Sequence, residues 1–438
     1  MGRWFPLGLI MLGIWGFAQS SKPNVVIVTV DTLRADHMGS YGYQKNTSPH
    51  IDRLLRDGIR FSNARTIEPL TAPSLCSMIT GIYPHEHGAS RNGLPLFPDL
   101  ISVNKLFKLS GYHTAGFVAN WTLRDRLTGL AEHFVDYEEV FTRKRWFGLF
   151  LSESDATDIT ERAIKWLANH RHGKPFFMWV HYVEPHAPYR FQKDVAAQVG
   201  LANKSNPSKK ERYDTEIAFV DRSIGHFLEK LYRYSKPENT IIVFASDHGE
   251  SLGEHNYWGH GRHLYEPTLH IPMGIVWKGK IKPGVEDAPA TLLDIPSTLL
   301  GLVAKPVPPS FKGFDWAPVF LNGQTAAMDR VTYYQAHKGA VQTKSGIEKG
   351  RQRGLLEVGI LENGQKEVFQ VRGMDRLLFD IANDPEELNN LAAKDQELTE
   401  RLKQWALEVE KGLNLAKGRQ GDLRQSDIEM LRSLGYID

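Results

Sequence analysis

Four residues of this chain have the types and the setting to hold a metal beside a nucleophile: Asp31, Thr71, Asp247 and His248. Asp31 ends the apolar run PNVVIVTVD (23–31), and Asp247 ends TIIVFASD (240–247) with His248 next to it. Thr71 lies two residues before Pro73 in TIEPLTAPSLCSMITGIYPHEHG (66–88). Proline suits the first turn of a helix, because its φ is already helical and its missing N–H would have had no partner there. The spacing predicts a loop that delivers Thr71 to the N-terminus of a short helix from about Pro73 to Thr80. Free N–H groups and a partial positive charge at such a terminus receive a phosphate or sulfate. The plainer alternative is that Thr71 only caps its helix and that each acid only caps the segment after its strand. Together the four give three oxygen donors and one imidazole, a set that suits one or two divalent ions, Zn²⁺, Mn²⁺ or Ca²⁺, rather than a soft metal. A metal beside Thr71 would lower the pKa of its hydroxyl and make it a nucleophile.

Such a set needs a scaffold that brings strand ends together. The runs at 23–31, 113–119 (HTAGFVA), 175–182 (PFFMWVHY), 240–247 and 270–277 (HIPMGIVW) are short and continuously apolar. Runs of this kind read as strands buried on both faces. Helical patterns lie between them at 50–57, 155–170 and 211–234. The expected fold class is α/β, a doubly wound and mostly parallel sheet flanked by helices. Ligands bind beyond the carboxyl ends of such strands, where Asp31, Asp247 and HYVEPH (181–186) fall. A Pro- and Gly-rich connection spans 306–318. Beyond it, alternating segments near 331–335, 339–343, 354–361 and 367–371 suggest a small antiparallel sheet. DRLLFDIANDPEELNNLA then leads into a helix at about 396–413, and a second short helix follows near 426–434. The division expected is a signal peptide (1–20), a catalytic α/β domain (21–315) and a C-terminal subdomain (316–438). The segment 199–210 reads as an exposed polar loop.

A chain of 438 residues exceeds one small core, so a large domain with a smaller one is the natural arrangement. A net charge of +2 argues neither for nor against an anionic partner, and the lack of a basic run long enough to track a nucleic-acid backbone sets nucleic acid aside. Arg3 precedes the apolar run Trp4 to Phe17, and Ala18, Gln19 and Ser20 follow as a cleavage pattern. This is a secretory signal and is short for a membrane span, so the protein is expected to be exported, periplasmic or extracellular, with no further span. The single Cys76 can form no internal disulfide and reads as a small buried helix residue.

The segments VDTLRADHMGSYGY, LTAPSLCSMITGIYPHEHG, GYHTAGFVAN, HYVEPHAPY, ASDHGESLGEHNYWGHGRHLYEPTLHIP and LLFDIANDPEELNNLA occur in an order that resembles the sulfatase family of the alkaline-phosphatase superfamily. The resemblance runs from about residue 22 to 410. It implies that Asp31, Asp247 and His248 are metal ligands and that Thr71 stands where sulfatases carry the residue oxidised to formylglycine. It implies further that His186 and His260 contact the substrate anion or its leaving group. Asn92, 21 positions after Thr71, is similar to an anion-binding residue of phosphonate monoester hydrolases. His85 and His87 belong to a family turn, and a structural place is expected for both. Glu184 and His181 are second-metal candidates, with a packed or hydrogen-bonded place favoured.

Three departures bear on the chemistry. Thr32 replaces the second acid of a family pair. Thr71-Ala-Pro-Ser-Leu75 replaces Cys-x-Pro-Ser-Arg. GYHTAGFVANW lacks the Gly-Lys-Trp-His that follows GYxTA in sulfatases. Threonine cannot become formylglycine, and a sulfo-threonine lacks the collapse by which a formylglycine hydrate ejects sulfate. A phospho-threonine can be opened by water in line. The expected function is a metal-dependent hydrolase acting through a covalent Thr71 ester on a small anionic ester or glycan, phosphoester or phosphonate ahead of sulfate ester. The alternatives are an arylsulfatase-like enzyme, a phospho-group transferase and a non-catalytic anion-binding relative. Substrate choice rests on loops such as 122–152 and 189–210, whose Arg143, Arg145, Trp146 and Arg190 are expected on a solvated rim. Oligomeric state is not legible.

Overall fold

The residues of β1 (Asn24–Val30) alternate between two cores: Val25 and Ile27 pack into one, Val26, Val28 and Val30 into the other. A strand buried on both faces must be apolar throughout, which explains why these runs show no polar alternation. The structure is a computed structural model that describes residues 22–145, 150–170, 174–337, 355–371, 373–392 and 399–416. In it, β1 joins an eight-stranded sheet with β2 (Ile59–Phe61), β3 (His113–Val118), β4 (Asp136–Glu139), β5 (Phe176–Tyr182), β6 (Thr240–Ser246), β7 (Met273–Trp277) and β8 (Gly284–Glu286). The order is β8-β2-β7-β6-β1-β5-β3-β4. Strands β6, β1, β5, β3 and β4 are mutually parallel. HIPMGIVW departs from a parallel reading: its strand starts at Met273 and runs antiparallel to β6 and β2. A parallel neighbour needs a crossover, usually helical. Only short elements, such as the helix Glu266–Leu269, lie between β6 and β7.

Helices α1 (Pro49–Arg56), α3 (Ala156–Asn169) and α4 (Lys209–Tyr234) cover one face through Ile51, Ile159, Ile217 and Ile224. Helices α2 (Thr71–Thr80) and α5 (Asp294–Leu302) cover the other through Leu75, Cys76, Ile79 and Leu299. Cys76 is buried, as expected. The segment 199–210 is anchored at Val199 and Leu201, both buried, and α4 already begins at Lys209.

A second sheet, β9 (Thr332–His337), β10 (Leu355–Glu362), β11 (Gln365–Gln370) and β12 (Asp375–Asp380), is antiparallel in sequence order. The β10–β11 hairpin turns on Asn363 and Gly364, both at positive φ, as a tight two-residue turn requires. Helix α6 (Glu400–Ala416) packs Leu402, Trp405 and Val409 on Val358 and Ile360. DRLLFD, expected as the approach to a helix, is β12, hydrogen-bonded along β11. The signal segment, the strand expected at 339–343, Trp146 and the helix expected at 426–434 lie outside the described residues.

The two sheets are joined by buried charge. Lys366 of β11 is fully buried, donates to the Leu264 carbonyl (2.7 Å) and Glu266 (3.0 Å), and pairs with Glu387; Glu266 in turn takes Arg65 at 2.8 Å.

Candidate active site

Adjacent parallel strands in register bring their carboxyl ends to one rim: Val30 pairs with Tyr182 of β5 and with Ser246 of β6. The next residues along β1 and β6 are Asp31 and Asp247, both fully buried. Asp247 Oδ1 accepts the backbone N–H of Thr32 (3.0 Å) and of His248 (2.7 Å), while Oδ2 has no hydrogen-bond partner. The Thr32 contact depends on a left-handed backbone (φ 55°), rare for a β-branched residue and found where the surroundings impose it. Asp31 Oδ2 accepts from Asn120 Nδ2, and Asp31 Oδ1 has no hydrogen-bond partner.

His248 is oriented by its own loop. Nδ1 lies 2.9 Å from the Gly249 carbonyl, which only an N–H can satisfy, so Nε2 of the neutral ring carries the lone pair. That nitrogen lies 3.3 Å from Thr71 Oγ1, 3.4 Å from Asp247 Oδ2 and 3.8 Å from Asp31 Oδ1. Thr71 is the first residue of α2 rather than its cap: Leu70 holds the cap position and makes no side-chain bond there. The Thr71 hydroxyl is therefore not spent on capping. The Ala72 N–H, expected to face an incoming anion, donates instead to Asn92 Oδ1 (3.0 Å). Asn92 is fully buried and its Nδ2 has no hydrogen-bond partner, so this amide is the donor presented beside the helix start.

The remaining expected residues are at the same rim. The His260 ring stands 4.4 Å from His248 and 5.2 Å from His186, centroid to centroid. His260 Nδ1 donates to Glu250 Oε1 (2.9 Å), whose other oxygen accepts the Tyr189 hydroxyl (2.9 Å). Burial works against charge on His260, but Glu250 outweighs it and the pKa is raised. His186 Nδ1 donates to the Ala187 carbonyl at 2.7 Å. His181 is bonded to Thr29 Oγ1 (2.9 Å) with Nε2 3.8 Å from Asp31, and Glu184 accepts the N–H of Ala156 (3.3 Å). His87 is held by Ser77 (2.9 Å) and His85 by Gln335 (2.9 Å), both turned into packing. Arg190 is exposed.

The residues fit a divalent cation. Asp31, Asp247 and His248 each offer an atom within 4.8 Å of the others, all buried, and the two unbonded carboxylate oxygens belong to this set. Burial and the charge of Asp31 push Asp247 well above its ordinary pKa. Burial raises Asp31 too, yet the imidazoles of His186, His181 and His248 outweigh it and hold that acid low. Two buried carboxylates this close call for a positive charge between them.

Sequence reasoning did not single out Asn120, Glu250 or Tyr189. Glu250 follows Asp247-His248-Gly249 directly, and Asn120 sits inside the segment where the family pattern was seen to fail. Glu250→Gln is expected to lower kcat by roughly 10- to 100-fold with KM little changed, because His260 loses the carboxylate that orients and charges it. Steady-state kinetics check this, and an unchanged kcat would show that the Glu250–His260 pair does not act in turnover.

The Sulfatase family model matches residues 23–305, and the C-terminal model of N-sulphoglucosamine sulphohydrolase matches 253–412. The chain belongs to the sulfatase family and is a hydrolase of ester bonds. It is similar to an arylsulfatase of Clostridium perfringens, 26% identical over 87% of this chain and 92% of the relative. An N-acetylglucosamine-6-O-sulfatase of Bacteroides thetaiotaomicron is 25% identical over 86% of this chain and 84% of its own length. In fold it matches a phosphonate monoester hydrolase of Agrobacterium radiobacter with a TM-score of 0.64, 18% identity, and coverage of 91% and 96% of the two chains.

Proposed function

We propose that this chain is an exported, metal-dependent hydrolase that cleaves a small anionic ester through a covalent ester on Thr71, with a phosphoester or phosphonate as the preferred substrate. One observation carries the reading. Thr71 Oγ1 is fully buried, is not engaged in capping, and lies 3.3 Å from a candidate metal ligand. Asp31, Thr71, Asp247 and His248 would hold the ion. A divalent cation there supplies positive charge to the substrate anion and to the nucleophilic oxygen.

The chain's own groups supply the rest. Thr71 Oγ1 gives up its proton to water and bonds to phosphorus while the bond from phosphorus to the ester oxygen breaks, and that oxygen departs with a proton from His260 or His186, imidazoles suited to that transfer near neutral pH. Asn92 Nδ2, the donor left open beside the α2 terminus, steadies the charge on the non-bridging oxygens. Water then displaces Thr71 at phosphorus. A threonine ester has no carbonyl-type exit, which is why phosphorus is preferred over sulfur. Export rests on the signal-like segment before residue 21. Among the described residues no helix is long and apolar enough to cross a membrane.

A second reading, a sulfate ester as substrate, is favoured by the family model and by the names of the curated relatives. Matched nitrophenyl phosphate, phosphonate and sulfate esters, assayed with Zn²⁺, Mn²⁺ and Ca²⁺ after chelation, separate the two. Phosphorus esters are expected to turn over faster. Faster sulfate turnover would reverse the assignment, and no turnover with any ion would remove the enzymatic reading.

A further inference from the structure

Each carboxylate of the candidate metal set has one oxygen locked and one open. On Asp247 the locked oxygen is Oδ1, which takes two backbone N–H groups at 3.0 and 2.7 Å. On Asp31 it is Oδ2, which takes Asn120 Nδ2. The orientation of Asn120 is itself fixed, because its Oδ1 accepts both the N–H and the hydroxyl of Thr122 at 2.8 Å. An amide pinned at its oxygen has to present its NH₂ group to Asp31. The open atoms, Asp31 Oδ1 and Asp247 Oδ2, are the two without hydrogen-bond partners.

We infer that this arrangement makes both acids one-atom ligands and so selects a small, borderline cation of the Zn²⁺ class over Ca²⁺, with Asn120 as the positioning residue. The inference rests on the proposed ligand set. That set offers one oxygen from each acid, one imidazole nitrogen and one hydroxyl, four protein donors in all. Zn²⁺ accepts about four ligands of mixed N and O type, whereas Ca²⁺ seeks about six to eight oxygens and commonly takes carboxylates through both atoms. Thr32, next to Asp31, adds no further carboxylate to the set. Asn120 is also neutral. It fixes Asp31 without bringing a competing positive charge to the ligand, as a lysine there would.

The test is metal binding to the chelated full-length protein, by competition with a chromophoric chelator, for Zn²⁺ and Ca²⁺ separately. Wild-type protein is expected to bind Zn²⁺ at least about 100-fold more tightly than Ca²⁺. Asn120→Ala frees Asp31 Oδ2 and is expected to weaken Zn²⁺ by about 10- to 100-fold, the usual cost of losing a group that orients a ligand, and to narrow the gap to Ca²⁺. Thr122→Val, which loses only the hydroxyl that pins Asn120, is expected to move both values the same way by less. It keeps the test open if Asn120→Ala does not fold. Cobalt substitution adds a spectroscopic readout: strong visible bands of a four-ligand site in wild type, weakened in the variant. Ca²⁺ binding as tight as Zn²⁺ in wild type, or an unchanged ratio in both variants, would overturn the inference. Asp31→Ala separates the two levels. If it loses binding of every ion while Ca²⁺ is preferred in wild type, only the selectivity falls. If it changes nothing, the ligand set falls too.

Discussion

Thr71→Ala is expected to reduce kcat for the best ester by about 10⁴-fold or more, with KM changed far less, because the group that bonds to the substrate is gone while the groups that bind the anion remain. Thr71→Ser keeps a hydroxyl in the same place and is expected to stay within roughly tenfold of wild type. The covalent step gives an independent readout. Acid quenching during turnover should trap a phosphoryl group on the peptide that contains Thr71, and the alanine variant should carry none. Retained activity in Thr71→Ala, or an adduct on another residue, would mean that water attacks the ester directly. High-resolution mass separates a phosphoryl from a sulfo adduct, so the same experiment reports on substrate class.

The second large effect is on stability. Lys366→Met leaves Glu266 with Arg65 alone and leaves Glu387 buried without its cation. Removing one member of a buried ion network costs about 3–5 kcal/mol. Equilibrium denaturation should show the loss near neutral pH. It should also show the loss shrinking in acid. Burial raises the pKa of Glu266, but Arg65 and Lys366 outweigh it and hold the acid well below the usual carboxylate range. The stability tied to its charge is therefore fully present above the unfolded value of about 4.3 and disappears as the pH falls below it. A variant as stable as wild type at neutral pH, or a penalty that grows in acid, would show that the network is not what joins the sheets.

Much of the scaffold was legible because buried parallel strands have a distinctive composition. The runs that became β1, β3, β5 and β6 could not be half-exposed, and the acids that end two of them, Asp31 after β1 and Asp247 after β6, had to lie at one rim. The short strands β2, β4 and β8 carry too few residues for a pattern, and β12 gives no strand signal because DRLLFD does not alternate: Leu377, Leu378 and Phe379 stand together between charged residues. At the candidate site, Asp31, Thr71, Asp247, His248, His186, His260 and Asn92 lie near one another, and the roles the motifs imply for them belong to the proposed function. What one sequence does not reveal is which group holds another. Asn120 and Glu250 act through a partner distant from or beside them in the chain, and only the folded arrangement joins Asn120 to Asp31 and Glu250 to His260. The use of the Ala72 N–H by Asn92 belongs to the same kind of information.

The second sheet reaches the segment that carries Thr71. The Gln335 N–H of β9 donates to the Ile67 carbonyl (3.0 Å), and Gln335 and His337 each bond Glu68 at 2.9 Å, three residues before Thr71. The C-terminal sheet thus helps hold the segment that leads to Thr71, the proposed nucleophile. A chain cut after the α/β sheet would retain every group named in the proposed chemistry and lose the anchor of the irregular segment that leads to Thr71. Loosening the sheet is accordingly expected to lower activity from a distance, so that on the proposed chemistry the working unit would include both sheets.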